Sequence, residues 1–161
     1  MRVLFLDFDG VLNSHQSAVF WHHFRNKFNE FYVDGVEFCP IAVSNLEELL
    51  RRVPDLKIVI SSSWRLGETI DTINGKFFKN SDLIQSRIIG ITESFSQTRG
   101  DEIEKYLTEH TEIIDYVILD DDRDMLYNQR NNFINTSALH GFTYGDMLQA
   151  LRILGEGVVH G

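Results

Sequence analysis

Residues 3–12 read Val3-Leu4-Phe5-Leu6-Asp7-Phe8-Asp9-Gly10-Val11-Leu12, an apolar run that stops at two aspartates one residue apart. Successive side chains of a strand point to opposite faces, so Val3 and Phe5 cover one face and Leu4 and Leu6 the other. A strand apolar on both faces belongs inside a parallel sheet with helices above and below. Such sheets bind ligands outside the carboxyl ends of their strands, where Asp7 and Asp9 fall. Gly10 frees the backbone for a sharp turn and for close approach of a ligand. Two carboxylates this near repel unless a cation or a proton lies between them. The pattern therefore points to a metal site or to a pair of acids with split proton affinities.

The rest of the chain alternates strand and helix patterns. Residues 13–39 are rich in aromatics, and Phe20, Phe24, Phe28 and Phe31 recur at helical spacing. Pro40 suits the first turn of a helix over 40–53, and a strand over 57–60 runs into Ser61-Ser62-Ser63-Trp64-Arg65. A polar, Gly-containing stretch follows, then a short strand over 88–91 and a helix over 100–108 with Ile103, Tyr106 and Leu107 inward. A strand over 116–119 ends in Asp120-Asp121-Asp122-Arg123-Asp124, and a strand over 133–135 precedes a helix over 144–154. This order predicts right-handed βαβ units and an α/β fold: a central parallel sheet of about five strands between helical layers. Nothing divides the chain, so one domain over 1–161 is expected, with 13–39 as a helical flap.

Three strand ends carry polar residues where an apolar continuation is expected: Asp7/Asp9, Ser61/Ser62/Ser63 and Asp120/Asp121/Asp122. Brought to one sheet edge, they offer oxygen ligands for a hard cation, and Mg²⁺, commonly held by one or two carboxylates plus substrate phosphate, fits best. Serine hydroxyls and free N–H groups at a helix start cradle an anion, and Arg99 is the candidate cation to neutralise a phosphate. Arg65 reads either as a second phosphate contact or as an ion-paired helix residue. His15 is a candidate substrate contact, whereas His22 and His23 lack the spacing of a metal pair on one helix face. The aromatic stripe of 20–31 is packing or, alternatively, a platform for a nucleic-acid base.

With these residues in view, the chain resembles a haloacid dehalogenase (HAD) superfamily phosphatase over nearly its whole length. Asp7-Phe8-Asp9-Gly10-Val11 matches the first motif of that superfamily, Ile58-Val59-Ile60-Ser61 the second, Arg99 the third and Leu119-Asp120-Asp121 the fourth. The strings Ile60-Ser61-Ser62-Ser63-Trp64-Arg65, Arg99-Gly100-Asp101-Glu102-Ile103 and Leu119-Asp120-Asp121-Asp122 resemble the small HAD domains of the Swiss Army knife RNA-repair group. The acid pair followed by Arg123 is also similar to polynucleotide-kinase phosphatase domains, in a shifted register. The resemblance implies a Rossmann-like three-layer HAD fold and a phosphatase with Asp7 as nucleophile and Asp9 as general acid and base. It further implies Mg²⁺ held by Asp7, the Asp9 backbone carbonyl and an acid of 120–124, Asp121 first and Asp120 second. Ser61, Ser62 and Arg99 would bind the phosphoryl oxygens. HAD caps select small substrates; here neither 13–39 nor 66–87 is long enough for a large cap, so a bulky substrate such as an RNA or DNA end, or a nucleotide, is expected.

Bulk composition narrows the alternatives. A net charge of −9 weighs against broad binding of long nucleic acids and favours a competing reading, a phosphatase of small metabolites. Receiver-type signalling domains place their phospho-accepting aspartate on a strand midway along the chain, with acids clustered on the first, whereas here Asp7 and Asp9 follow the first strand and the second acidic cluster comes late. Cys39 is the one cysteine, which excludes an internal disulfide and fits a reducing compartment. No apolar run has the length of a membrane span and the start has no signal-peptide pattern, so a soluble cytoplasmic protein without membrane contact is expected.

Overall fold

A computed structural model describes residues 1–28 and 36–157. Its centre is a five-stranded sheet, all pairs parallel, built from β1 (Arg2–Leu6), β2 (Leu56–Ile60), β3 (Ile88–Ile91), β4 (Asp115–Asp120) and β5 (Phe133–Asn135) in the order β3-β2-β1-β4-β5. β1 lies in the middle, in register with β2 through Leu6 and Ile60 and with β4 through Leu6 and Leu119. Chain connections run to one side of β1 for β2 and β3 and then cross to its other side for β4. The carboxyl ends of β2, β1 and β4 therefore sit side by side at a topological switch point.

Six helices are assigned among the described residues: α1 (His15–Phe24), α2 (Pro40–Arg52), α3 (Ile70–Phe77), α4 (Asp82–Arg87), α5 (Arg99–Glu109) and α6 (Tyr144–Ile153). Leu4, Leu6, Ile58, Ile60, Val117 and Leu119 on one sheet face pack with Leu46, Leu49 and Leu50 of α2 and Met147, Ala150 and Leu151 of α6. Val3, Phe5, Val59 and Ile118 on the other face meet Ile103 of α5, with Tyr106 and Leu107 partly buried beside it. Both faces of β1 are thus buried, and the three-layer α/β fold is the one its residue pattern predicts.

Two segments differ from expectation. The polar stretch after β2 carries α3 and α4, started by side-chain caps from Thr69 and Ser81 onto the N–H groups of Thr72 and Ile84; these caps shelter helices too short to show an amphipathic period. In the flap, α1 ends at Phe24, and Trp21, rather than the phenylalanine stripe, is its fully buried aromatic. Trp21 Nε1 donates to the Phe38 carbonyl at 2.7 Å, tying the two described ends of the flap together. Phe24 and Phe28 stay exposed; Phe31 and Tyr32 lie outside the described residues. Among the described residues no helix is long and apolar enough to cross a membrane.

Candidate active site

The β1 ladder continues one residue past the strand, Asp7 N–H donating to Leu119 O at 3.1 Å. Asp7 is therefore held at the sheet edge with only 6% of its surface exposed. Phe8 turns inward and is fully buried, ringed by Phe38, Trp64, Phe77 and Phe78 at centroid distances of 5.4 to 5.6 Å. That anchor throws Asp9 outward on the next residue. Gly10 then adopts φ +71°, in the left-handed region that glycine enters freely. A Cβ at Gly10 would also collide with the Asp121 carboxylate, which lies over it. Thr136 Oγ1 clamps the turn by donating to the Gly10 carbonyl at 2.7 Å.

At the end of β4, Asp120 is 1% exposed and Asp121 half-buried. Asp7, Asp120 and Asp121 each offer one carboxylate oxygen within 4.8 Å of the others. Asp120 Oδ1 accepts the Asp122 N–H at 2.9 Å, while its buried Oδ2 has no hydrogen-bond donor. Burial, then the neighbouring Asp7 charge, pushes the Asp120 carboxyl up to about 8. Burial raises Asp7 to about 6, against the lowering effects of the Phe8 N–H, the Arg99 charge and the Ser62 side chain. Asp121 is raised too, by burial and then by Asp122. Two buried acids and a half-buried third, one with an unsatisfied oxygen, make an all-oxygen donor set that suits a hard divalent cation. Asp122 is exposed and Asp124 turns away to accept the Arg99 backbone N–H at 2.8 Å, so the geometry brings Asp120 and Asp121 to Asp7.

Serines flank this cluster on the β2 side. Ser61 N–H donates to Leu6 O at 3.0 Å, extending the ladder, and its buried hydroxyl has no hydrogen-bond partner. Ser62 caps a single 3₁₀ turn (Ser63–Arg65) through the Trp64 N–H at 3.2 Å. A helix start was expected here, but one turn has no developed dipole; what the segment presents is hydroxyls. Arg99 arrives as the first residue of α5, beside the serine turn. Gly100 lets α5 press against the loop after β4, its N–H on Asp124 O at 3.2 Å, where a Cβ would meet Leu126 N at 2.6 Å. Arg99 Nε then lies 3.7 Å from Asp120 Oδ2, and its buried Nη1 has no hydrogen-bond partner.

Arg65, readable from sequence as a phosphate contact or as an ion-paired helix residue, takes the ion-paired arrangement. It is buried, and its Nη2 pairs with Glu102 at 2.6 Å. Nε donates to Thr92 O at 2.9 Å and Nη1 to Ser62 O at 2.7 Å. All three nitrogens are engaged within the protein, and Arg65 braces the serine turn against α5. Asp9 stands apart from the acid cluster: Asn13 Nδ2 donates to its Oδ1 at 2.9 Å and Trp64 Nε1 to its Oδ2 at 2.8 Å. His15 is exposed on a cleft of about 320 Å³ shared with Asp9, Asn13, Glu37 and Asp121.

A family of HAD domains in Swiss Army Knife RNA repair proteins matches residues 3–147. The chain belongs to this HAD family. No curated protein and no solved structure was found to match it. The matched span of the HAD domain runs from β1 into α6 and contains every element that contributes to the acid cluster and its surround. Glu102, Trp64, Asn13 and Thr136 were the residues that motif reading left without a role in this HAD domain. Glu102 and Trp64 lie inside the strings that carry the resemblance, three residues after Arg99 and two after Ser62; Asn13 meets Asp9 and Gly10 within its own turn, whereas Thr136 reaches Gly10 only through the fold.

Proposed function

We propose that this HAD domain is a Mg²⁺-dependent phosphomonoesterase, working as one catalytic domain in the cytoplasm on nucleic-acid ends or nucleotides through an aspartyl-phosphate at Asp7. One observation carries the reading. A buried carboxylate at the end of the central strand lies with Asp120 and Asp121, beside Arg99 and Ser62, and Asp120 Oδ2, Arg99 Nη1 and the neighbouring Ser61 hydroxyl lack a hydrogen-bond partner. Family membership supports the hydrolase class.

In the proposed reaction an Asp7 oxygen attacks phosphorus as the bond from phosphorus to the leaving oxygen breaks. Asp9 gives its proton to that oxygen, leaving a free alcohol and an Asp9 carboxylate. Asp9 then takes a proton from water as the water oxygen bonds to phosphorus. The Asp7–phosphorus bond breaks, releasing inorganic phosphate and restoring both acids. Ser61, Ser62 and Arg99 would bind the phosphoryl oxygens, Arg99 through the Nη1 that has no protein partner. Asp7, Asp120, Asp121 and the Asp9 backbone carbonyl would hold Mg²⁺, whose charge, when bound, offsets the repulsion between an anionic nucleophile and an anionic ester.

Release of phosphate from 3′- and 5′-phosphorylated oligonucleotides, mononucleotides and sugar phosphates, with and without Mg²⁺, tests this directly. Mg²⁺-dependent turnover is expected, lowered by ~10³-fold or more in Asp7→Asn. Turnover that survives Asp7→Asn overturns the reading. The net charge of −9 favours a second reading, small phosphorylated metabolites, and preference for sugar phosphates over oligonucleotide ends in the same panel would select it.

A further inference from the structure

The carboxylate of Asp9 is held by uncharged donors on both oxygens, one of them an indole. Asn13 is itself fixed, because its Oδ1 accepts the Gly10 N–H at 3.0 Å. Trp64 is fixed more strongly. Its ring stacks on Phe38 at 5.8 Å and meets the edge of Phe8 at 5.6 Å. Phe77 closes in at 5.4 Å, and the Trp64 backbone N–H is capped by Ser62 Oγ. An indole N–H only donates, and this one cannot swing away without breaking the ring packing. A carboxyl group turns easily about its last bond; here two donors, one wedged in an aromatic wall, set its plane.

We propose that Trp64 is a positioning residue whose indole N–H aims the Asp9 carboxyl at the leaving-group oxygen. This role rests on the phosphatase reading above. It deepens that reading by naming the kind of ester the site is built for: alkyl esters such as those of ribose hydroxyls, whose alkoxides cannot depart without a proton. For a substrate with an acidic leaving group the proton matters little, and so does its aim.

Leaving-group dependence separates this role from a structural one. With Mg²⁺ and a series of substituted phenyl phosphates, kcat/KM is measured for the wild-type chain and for Trp64→Phe, which keeps a ring against Phe38 and removes the donor. We expect Trp64→Phe to slow the least acidic phenol ester by about 10-fold or more and the p-nitrophenyl ester by less than about twofold. The dependence on leaving-group pKa therefore steepens. Phe77→Leu removes one of the ring contacts that hold the indole and keeps the N–H, and should steepen that dependence less than Trp64→Phe does. Equal slowing across the series overturns the positioning role and leaves the phosphatase reading standing, whereas absence of Mg²⁺-dependent turnover in the wild type overturns both. A measurement on the folded chain without substrate guards against a variant that fails to fold. The two tryptophans, Trp21 and Trp64, give two indole N–H resonances. Asp9→Asn should shift that of Trp64 and not that of Trp21; an unmoved Trp64 resonance overturns the proposal.

Discussion

The two aspartates of the first loop, two residues apart, are held by opposite physics. Asp7 lies among like charges and away from water, so that burial and its neighbours raise it and Asp120 well above ordinary carboxyl values. Asp9 lies at the surface with a neutral donor on each oxygen. The first arrangement is unfavourable by itself, and a bound cation would offset it; the second is complete within the protein. The nucleophile and the acid of the proposed reaction thus lie side by side in one loop, and the separation is made by Phe8, which buries itself between them.

The largest effect on that contrast is expected where both halves are braced. Glu102→Gln removes the charge from the buried pair that fixes Arg65 and the serine turn. We expect a loss of about 3–5 kcal/mol in urea unfolding, with much of it recovered when Arg65→Met is added, because breaking one side of a buried pair costs more than replacing both. The Asp7 side alone should be sharpened by pH. Asp7 and Asp120 hold protons more tightly in the folded chain than the ordinary value of 3.8. The stability this contributes is fully present below about pH 4 and is lost as pH rises through about 6 and then 8. Without Mg²⁺ the melting temperature should fall across that window. Mg²⁺ at a fixed concentration, ~100 times its Kd at pH 8, should restore about 2.7 kcal/mol at pH 8 and much less at pH 5, where protons compete for the same oxygens, and Asp120→Asn should flatten both trends.

Gly10→Ala tests the seam between the two aspartates. The left-handed φ of +71° and the overlap with Asp121 predict a loss of about 1–3 kcal/mol. The Mg²⁺-induced rise in melting temperature should vanish as well, because Asp121 is displaced. The smallest effect belongs to the flap: Trp21→Phe loses the hydrogen bond to Phe38 O and should cost about 1 kcal/mol, with Asp9 function and Mg²⁺ response unchanged. A larger change in either would show that the flap, and not the aromatic wall around Trp64, orients the loop.

Local pattern alone determined the strands, their parallel association and the polar ends of β1, β2 and β4, because apolar runs of strand length can be stable only if both faces are covered. It also marked the acids after β1 and β4 as candidates to meet, since strand ends in an α/β sheet converge whatever the loops do, whereas Arg99 is brought in by the start of α5. The division of labour among those residues was decided in three dimensions. Arg65 was equally suited to a phosphate or to an acid until Glu102, 37 residues later in the chain, was brought to 2.6 Å. Asp120 and Asp121 were separated from Asp122 and Asp124 by which way the chain turns after β4. Trp64 reaches Asp9 across 55 residues of sequence. Such partnerships depend on distances set by packing, and packing is a property of the assembled layers that no short stretch of residues contains.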